Sequence, residues 1–315
     1  MQQRLVGRTG LQVSRLGLGT MTWGQDTDEH EARDQLRAFL DSGGTLVDTA
    51  PSYCAGASEK MVGDLIGELG SREELVVATK AGLGGRRAAG AADVSRGALL
   101  DQLDASLLRL GMDHVDLWQV HVWSDKVPIE ETLGALDHAV GSGRARYIGV
   151  SNYNGWQTAH AHTLQSAHGR APIASTQVEY SLLNRGIEDE VLPAADALGM
   201  GVLAWSPLGR GVLSGKYRSG TPADSRAASP HFERFVEPYL GAAQRRVVEA
   251  VARAGEGLSV SPVEVALAWV RDQPGVSAAI VGARTAAQLK GSLSVEQVEI
   301  PREIMGALTD VSESV

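Results

Sequence analysis

A single cysteine, Cys54, is the only thiol in this 315-residue chain. No internal disulfide can form, and the composition fits a reducing compartment, so a cytoplasmic protein is expected. Basic charge is also scarce. The 29 Lys and Arg residues face 38 Asp and Glu, a net charge of −9. Non-specific grip on nucleic acid or an anionic membrane needs the opposite sign. No stretch approaches the ~20 apolar residues of a membrane span. The start, MQQRLVGRTGLQVSRLG, lacks the apolar run of a signal peptide. There is no low-complexity tract and no break in composition, so residues 1–315 are expected to form one domain. Metal-ligand spacing is missing as well. His160 and His162 make an H-x-H pair, but they fall in a helical stretch, where positions i and i+2 point apart. A metal-dependent hydrolase is therefore set aside.

What the chain does have is rhythm. Hydrophobic content of 43% suits a soluble globular protein with a sizeable core. β-rich runs fall at roughly 15–19, 45–48, 75–79, 115–120, 145–150, 173–177, 201–205 and 278–281, with helical patterns between them. Over 95–110, Leu99, Leu103, Leu107 and Leu110 share one face, Ser95 is placed to cap, and Gly111 ends the run. Over 128–140, Pro128 opens the first turn, Leu133 and Leu136 point inward, and Gly141 stops it. Eight strands alternating with helices pair in parallel through right-handed crossovers. About 30 residues per unit suits a closed (β/α)8 barrel, the TIM barrel, with a doubly wound open sheet as the alternative. Residues 1–13 read as a β-hairpin capping the barrel bottom, and 301–310 as an extra C-terminal helix.

Barrel active sites lie at the carboxyl ends of the strands. Asp48, Lys80 and His121 fall there, and Tyr53 follows Asp48 by five residues. A carboxylate, an amine, an imidazole and a phenol in that position make a proton-transfer set. Free tyrosine, with a pKa near ~10, is too weak an acid for efficient work at neutral pH. An ammonium ~4 Å away is worth about 4 kcal/mol at an effective dielectric of ~20, roughly three pKa units. That would bring the phenol toward neutrality, with Asp48 keeping Lys80 charged and aimed.

Two glycine-rich stretches bear on cofactor binding. LGLGTMTWG has GxG at 17–19 but no third glycine at the Rossmann spacing. GRGVLSGKY misses the P-loop spacing, and Tyr217 replaces the hydroxyl that would hold magnesium. Barrels commonly bind phosphate on the loops after strands seven and eight. Here those loops are SPLGRGVLSGK and VGARTAAQL. Lys216, Arg284 and the backbone N–H groups of a starting helix suit a dinucleotide's pyrophosphate and 2′-phosphate.

Eight segments in order then carry a resemblance to the aldo-keto reductases: LGLGTMTWG, the DTAxxY run at 48–53, Lys80, DLWQVH, IGVSNY, QVEYSLLNR, AWSPLGRGVLSGKY and AIVGARTAAQL. The resemblance runs nearly end to end and implies the barrel fold. It implies catalysis by Asp48, Tyr53, Lys80 and His121, with Tyr53 donating the proton. It implies NADPH bound without a Rossmann fold. Ser151, Asn152 and Gln177 would hold the nicotinamide carboxamide, Trp205 would stack on its ring, and Thr20 and Met21 would line its ribose. Ser206, Leu208, Gly209 and Lys216 would line the pyrophosphate, and Gly282, Arg284 and Gln288 the adenosine phosphate. Gly19, Asp48, Pro207, Gly211 and Ser292 complete the set. Ser292 stands where the family often has asparagine, and Cys54 stands where glycine is common.

The expected reaction is reduction of an aldehyde or ketone, with Trp23, Trp123, Tyr153 and the 218–236 loop, including Phe232 and Phe235, as the wall around Tyr53 and His121. Trp205, where vertebrate aldose reductases have tyrosine, places the chain nearer bacterial reductases and potassium-channel β-subunits. The alternative is thus an NADP(H)-sensing scaffold. His121 favours catalysis, because asparagine takes that position in the channel subunits. Cys54 is read either as a spectator or as a redox-sensitive rim residue.

Overall fold

The computed structural model describes residues 1–70, 72–83, 92–222, 225–228 and 233–313. Two short strands, β1 (Gln3–Leu5) and β2 (Gln12–Ser14), pair antiparallel. The next eight are β3 (Leu16–Gly19), β4 (Leu46–Asp48), β5 (Val76–Ala81), β6 (Val115–Val120), β7 (Ala145–Ser151), β8 (Ile173–Glu179), β9 (Gly201–Trp205) and β10 (Val276–Gly282). They form one closed parallel barrel in chain order, in which β10 returns to β3 with Ala279 opposite Leu16 and Gly282 opposite Gly19. Burial on both faces explains the near-continuous apolar runs, since helices cover the outside and side chains fill the inside. The open-sheet alternative is excluded by the β10–β3 pairing.

The hairpin closes the amino-terminal end of the barrel. Val6, Leu11 and Val13 pack beneath Leu46, Ala78, Leu117, Leu203 and Ala278, which project into the barrel interior. Gly7 turns the chain with φ +57°, and a Cβ there would come within 2.3 Å of the Gly199 carbonyl oxygen, so this close approach requires glycine. The helices pack outside, in a larger core that includes Leu99, Leu103, Leu107 and Leu110 of helix Arg96–Leu110. Three expected helix ends differ in detail. Ser95 sits at the N-cap without a side-chain cap bond. Pro128 is the N-cap of helix Ile129–Gly141 rather than its first turn, and Gly141 is the last helical residue, followed by Ser142. The final helix is Arg302–Ser312. Among the described residues, no helix is long and apolar enough to cross a membrane.

Candidate active site

Lys80 lies in β5 with no exposed surface, yet it carries a charge. Burying an isolated ammonium is costly, so its partners decide what it can do. Its Nζ donates to Asp48 Oδ1 at 2.9 Å and Oδ2 at 2.7 Å, and to the Thr49 carbonyl oxygen at 3.0 Å. It also reaches the Tyr53 hydroxyl at 3.4 Å. Burial works against the Lys80 charge, but Asp48 and Tyr53 outweigh it and hold its pKa above the ordinary lysine value. Gln177 Nε2 donates to Asp48 Oδ1 at 2.8 Å, tying the far side of the barrel to the same carboxylate.

Tyr53 leads a tight turn, Tyr53–Gly56, after β4. Burial pushes its phenol up, and the Lys80 charge pulls it down without winning. The simple expectation of a phenol brought toward neutrality is therefore corrected: desolvation outweighs the nearby cation. His121 follows β6, and its ring meets that of Tyr53 edge-on at 6.3 Å between centroids. Burial, aided by Lys80, lowers its pKa to about 3, so the imidazole is neutral at physiological pH. Its buried Nδ1 has no hydrogen-bond partner among the described residues.

These groups open into a cleft of about 670 Å³. Asp48, Tyr53 and His121 line it with Gly19, Met21, Ser151, Asn152 and Gln177. The end of β9 and the segment after it contribute Trp205, Ser206, Pro207, Leu208, Gly211 and Lys216, and the end of β10 and the segment after it contribute Gly282, Arg284, Gln288 and Ser292. Ser151 Oγ donates to the Gln177 carbonyl oxygen at 2.8 Å, and Trp205 Nε1 donates to Asn152 Oδ1 at 3.1 Å. Asn152 Nδ2 in turn donates to the His121 carbonyl oxygen at 3.0 Å.

Several expected residues stand elsewhere. Thr20 has no exposed surface, and its hydroxyl is 2.8 Å from Ser58 Oγ. Gly209 is buried against Leu183. Trp23 also has no exposed surface and donates its indole N–H to Gln35 at 3.2 Å, so it backs the wall instead of forming it. Tyr153 is 2% exposed and packs edge-on against Trp123, which also meets the exposed Trp156. Phe232 lies outside the described residues.

Three backbone amides around the start of helix Ala286–Leu293 are engaged within the protein. Arg284 N–H donates to Gln288 Oε1 at 3.0 Å, Ala286 N–H to Glu31 Oε2 at 2.6 Å, and Gln288 N–H to Thr285 Oγ1 at 3.2 Å.

Arg210 is the main residue that sequence reading missed, although a charged residue between Gly209 and Gly211 in a strand-end loop was the available signal. Its guanidinium makes two bonds to Glu179, at 2.8 and 2.6 Å, and one to the Phe235 carbonyl oxygen at 2.7 Å. It stacks 3.9 Å from the Phe235 ring centroid and 4.9 Å from that of Tyr239. Thr22, Ser214, Ser261 and Val263 also line the cleft without having been anticipated.

Backbone conformation concentrates at the same place. Among the described residues, Cys54, Ala55, Asn152, Ser206, Arg210 and Ser259 are the non-glycine residues with positive φ. Asn152, Ser206 and Arg210 line the cleft, and Cys54 and Ala55 follow Tyr53 directly. Strained backbone persists where surrounding structure over-determines it, as functional sites do. Cys54 is half-buried, its Sγ facing the Met21 carbonyl oxygen at 3.4 Å, and burial followed by Asp26 raises its pKa. Among the described residues, no group of His, Cys, Asp and Glu could hold a metal ion.

The aldo/keto reductase family profile matches residues 15–313. An uncharacterised oxidoreductase of Bacillus subtilis, YrpG, is 36% identical over 99% of this chain and 96% of its own length. The aldo-keto reductase YhdN of the same organism is 35% identical over 92% of this chain and 87% of its own. A probable voltage-gated potassium channel subunit beta of Oryza sativa is 36% identical over 90% of this chain and 87% of its own. A buried lysine–carboxylate pair beneath a tyrosine, at the carboxyl end of a closed barrel, agrees with that match, and the chain belongs to the aldo/keto reductase family of oxidoreductases.

Proposed function

We propose that this chain is an NADPH-dependent reductase of small aldehydes or ketones, working in the cytoplasm as a single barrel domain over residues 1–315. The observation that carries the reading is the position of Lys80 Nζ, between both Asp48 oxygens and 3.4 Å from the Tyr53 hydroxyl, at the base of the cleft. Members of the family generally use a nicotinamide cofactor. The residues here fit one. The cleft is lined by Arg210, Lys216 and Arg284, and the one carboxylate among its described lining residues, Asp48, is paired with Lys80. Such a lining suits a long ligand with phosphates at one end and a neutral reactive ring at the other.

When bound, the reduced nicotinamide supplies the hydride for the carbonyl carbon. Ser151, Asn152 and Gln177 would hold its carboxamide, Trp205 would lie against its ring, and Lys216 and Arg284 would meet the phosphates. Tyr53, kept protonated by its burial, gives its proton to the carbonyl oxygen. Lys80 stabilises the phenolate left behind, and the neutral imidazole of His121 orients the carbonyl and stabilises charge on its oxygen. Phe235 lines the cleft and would contribute to the substrate wall. Similarity to channel β-subunits supports a cofactor-sensing scaffold as the second reading, and the contact geometry of the four catalytic side chains favours turnover.

The test is Tyr53→Phe, assayed by NADPH absorbance against a panel of aldehydes and ketones. A general acid supplies roughly 10²–10⁴-fold, so kcat should fall by about that factor with cofactor affinity nearly unchanged. A variant that keeps more than about half its kcat would refute the role of Tyr53.

A further inference from the structure

Among the buried charges that the reading of Tyr53 as the acid leaves unused, Glu59 is the one in the helix that follows the Tyr53 turn. Glu59 has no exposed side-chain surface and lies six residues beyond Tyr53, in helix Ala57–Leu69. Its Oε2 accepts from Arg109 Nε at 2.7 Å and lies 2.6 Å from Arg109 Nη2. Its Oε1 accepts from Thr79 Oγ1 at 2.6 Å. Arg109 ends helix Arg96–Leu110 and also donates to Ser106 Oγ at 3.1 Å. Thr79 immediately precedes Lys80 in β5.

The turn between Tyr53 and Glu59 is the strained one. Cys54 has φ 49° and Ala55 φ 53°, both left-handed without being glycine. Gly56 continues at φ 91°, and a Cβ there would lie 2.8 Å from Arg109 Cδ. Arg109 therefore packs directly on the turn whose far end its guanidinium fixes through Glu59. Ser58, one residue before Glu59, ties the same point to the neighbouring strand ends: its Oγ donates to the Thr20 carbonyl oxygen at 2.8 Å and lies 3.1 Å from Thr49 Oγ1. A strained turn relaxes unless its ends are held. Here one end is Asp48, already fixed by Lys80, and the other is Glu59.

We propose that the Glu59–Arg109 pair, with Thr79, is a positioning device that holds the Tyr53 turn in register with Lys80. Thr79 gives it that register, because the strand that presents Lys80 to the phenol also hydrogen-bonds the carboxylate that anchors the phenol's turn. This inference rests on Tyr53 being the proton donor. A misplacement of about 1 Å at a reacting group can cost roughly 10²-fold.

A double-mutant cycle tests the proposal. Glu59→Gln keeps the shape and removes the charge. It should lower kcat by roughly 10–100-fold, with KM and NADPH Kd changed by less than about twofold, the losses a misplaced acid gives on separating transition-state from ground-state effects. Its pH–rate profile should move, because the distance from Lys80 to the phenol changes. In a Tyr53→Phe background, the same substitution should cost less than about twofold more, since no proton remains to be positioned. Thr79→Val, which removes one hydroxyl, should show the same pattern more weakly and serves if Glu59→Gln does not fold. Equal losses in both backgrounds would overturn the proposal and leave a structural ion pair. Wild-type kcat in both Glu59→Gln and Thr79→Val would overturn it too. An active Tyr53→Phe enzyme would instead remove the acid itself, a result distinct from additivity.

Discussion

Replacing Lys80 by methionine tests the electrostatic core of the site. At 3.4 Å from the Tyr53 hydroxyl and an effective dielectric of ~20, the ammonium is worth about 5 kcal/mol to a phenolate, roughly three to four pKa units. Burial already holds the phenol above its ordinary value against this pull. Without the cation, the phenol should rise further, because burial and the Asp48 carboxylate, which already raise it, are then unopposed. Alcohol oxidation is the direction to assay, because it needs Tyr53 ionised as the base. Its rate climbs with pH up to the phenol pKa, so a raised pKa moves the climb to higher pH. A displacement of at least ~2 pH units is expected, with a loss of roughly 10²–10⁴-fold at neutral pH. A deuterium isotope effect from labelled alcohol would confirm that chemistry limits the rate. The variant also leaves a buried carboxylate without its cation, at a cost of about 3–5 kcal/mol in stability. Lys80→Met/Asp48→Asn should recover part of that loss in a denaturant melt while remaining inactive. An unshifted profile in a folded, chemistry-limited Lys80→Met enzyme would refute the argument and make Lys80 structural.

Three further outcomes follow from the geometry. With His121 near pKa 3 when folded and ~6.5 when unfolded, only the unfolded chain takes up the proton between those values. Stability should therefore fall as pH drops through that window, at about 1.4 kcal/mol per pH unit toward a loss of about 5 kcal/mol, and His121→Gln should flatten this part of the profile. Arg284→Ala should weaken NADPH by roughly 10–100-fold and leave NADH nearly untouched, since a charge-assisted bond to the 2′-phosphate is worth about 1.5–3 kcal/mol. Equal losses for both cofactors, measured by quenching of tryptophan fluorescence, would show that Arg284 does not read that phosphate. Alkylation of Cys54 should be slow at neutral pH, because its thiol is raised, and should accelerate as pH rises. Bound NADPH with substrate should protect the thiol, and full activity after complete modification would make it a spectator.

The barrel was legible because its signals are periodic. Every expected strand end lies within two residues of the observed one, the largest differences falling at β5, β8 and β10. The tetrad was legible for a different reason: ionisable residues at the ends of apolar runs converge once the sheet closes. Lys80 inside VVATKA was the plainest case, since an otherwise apolar strand must find a partner for that charge. Trp23 and Thr20 were misplaced because a motif fixes position along the chain and not which way a side chain turns. Arg210 with Glu179, and Glu59 with Arg109, were invisible for a deeper reason. Periodicity reports which face is buried, but which polar groups meet across 31 or 50 residues is decided by packing.

Arg210 has one more consequence. Burial works against its charge, but the Glu179 carboxylate outweighs this and keeps its pKa above the ordinary arginine value. A guanidinium so held stays protonated at any pH the protein survives. The positive charge it brings to the cleft wall, between the Phe235 and Tyr239 rings, is therefore fixed across the neutral range. Under the proposed role of Tyr53, moving the pH across that range should tune the rate of the chemical step and leave this charge constant, so that a pH profile of kcat reports on the reaction and not on the architecture that receives it.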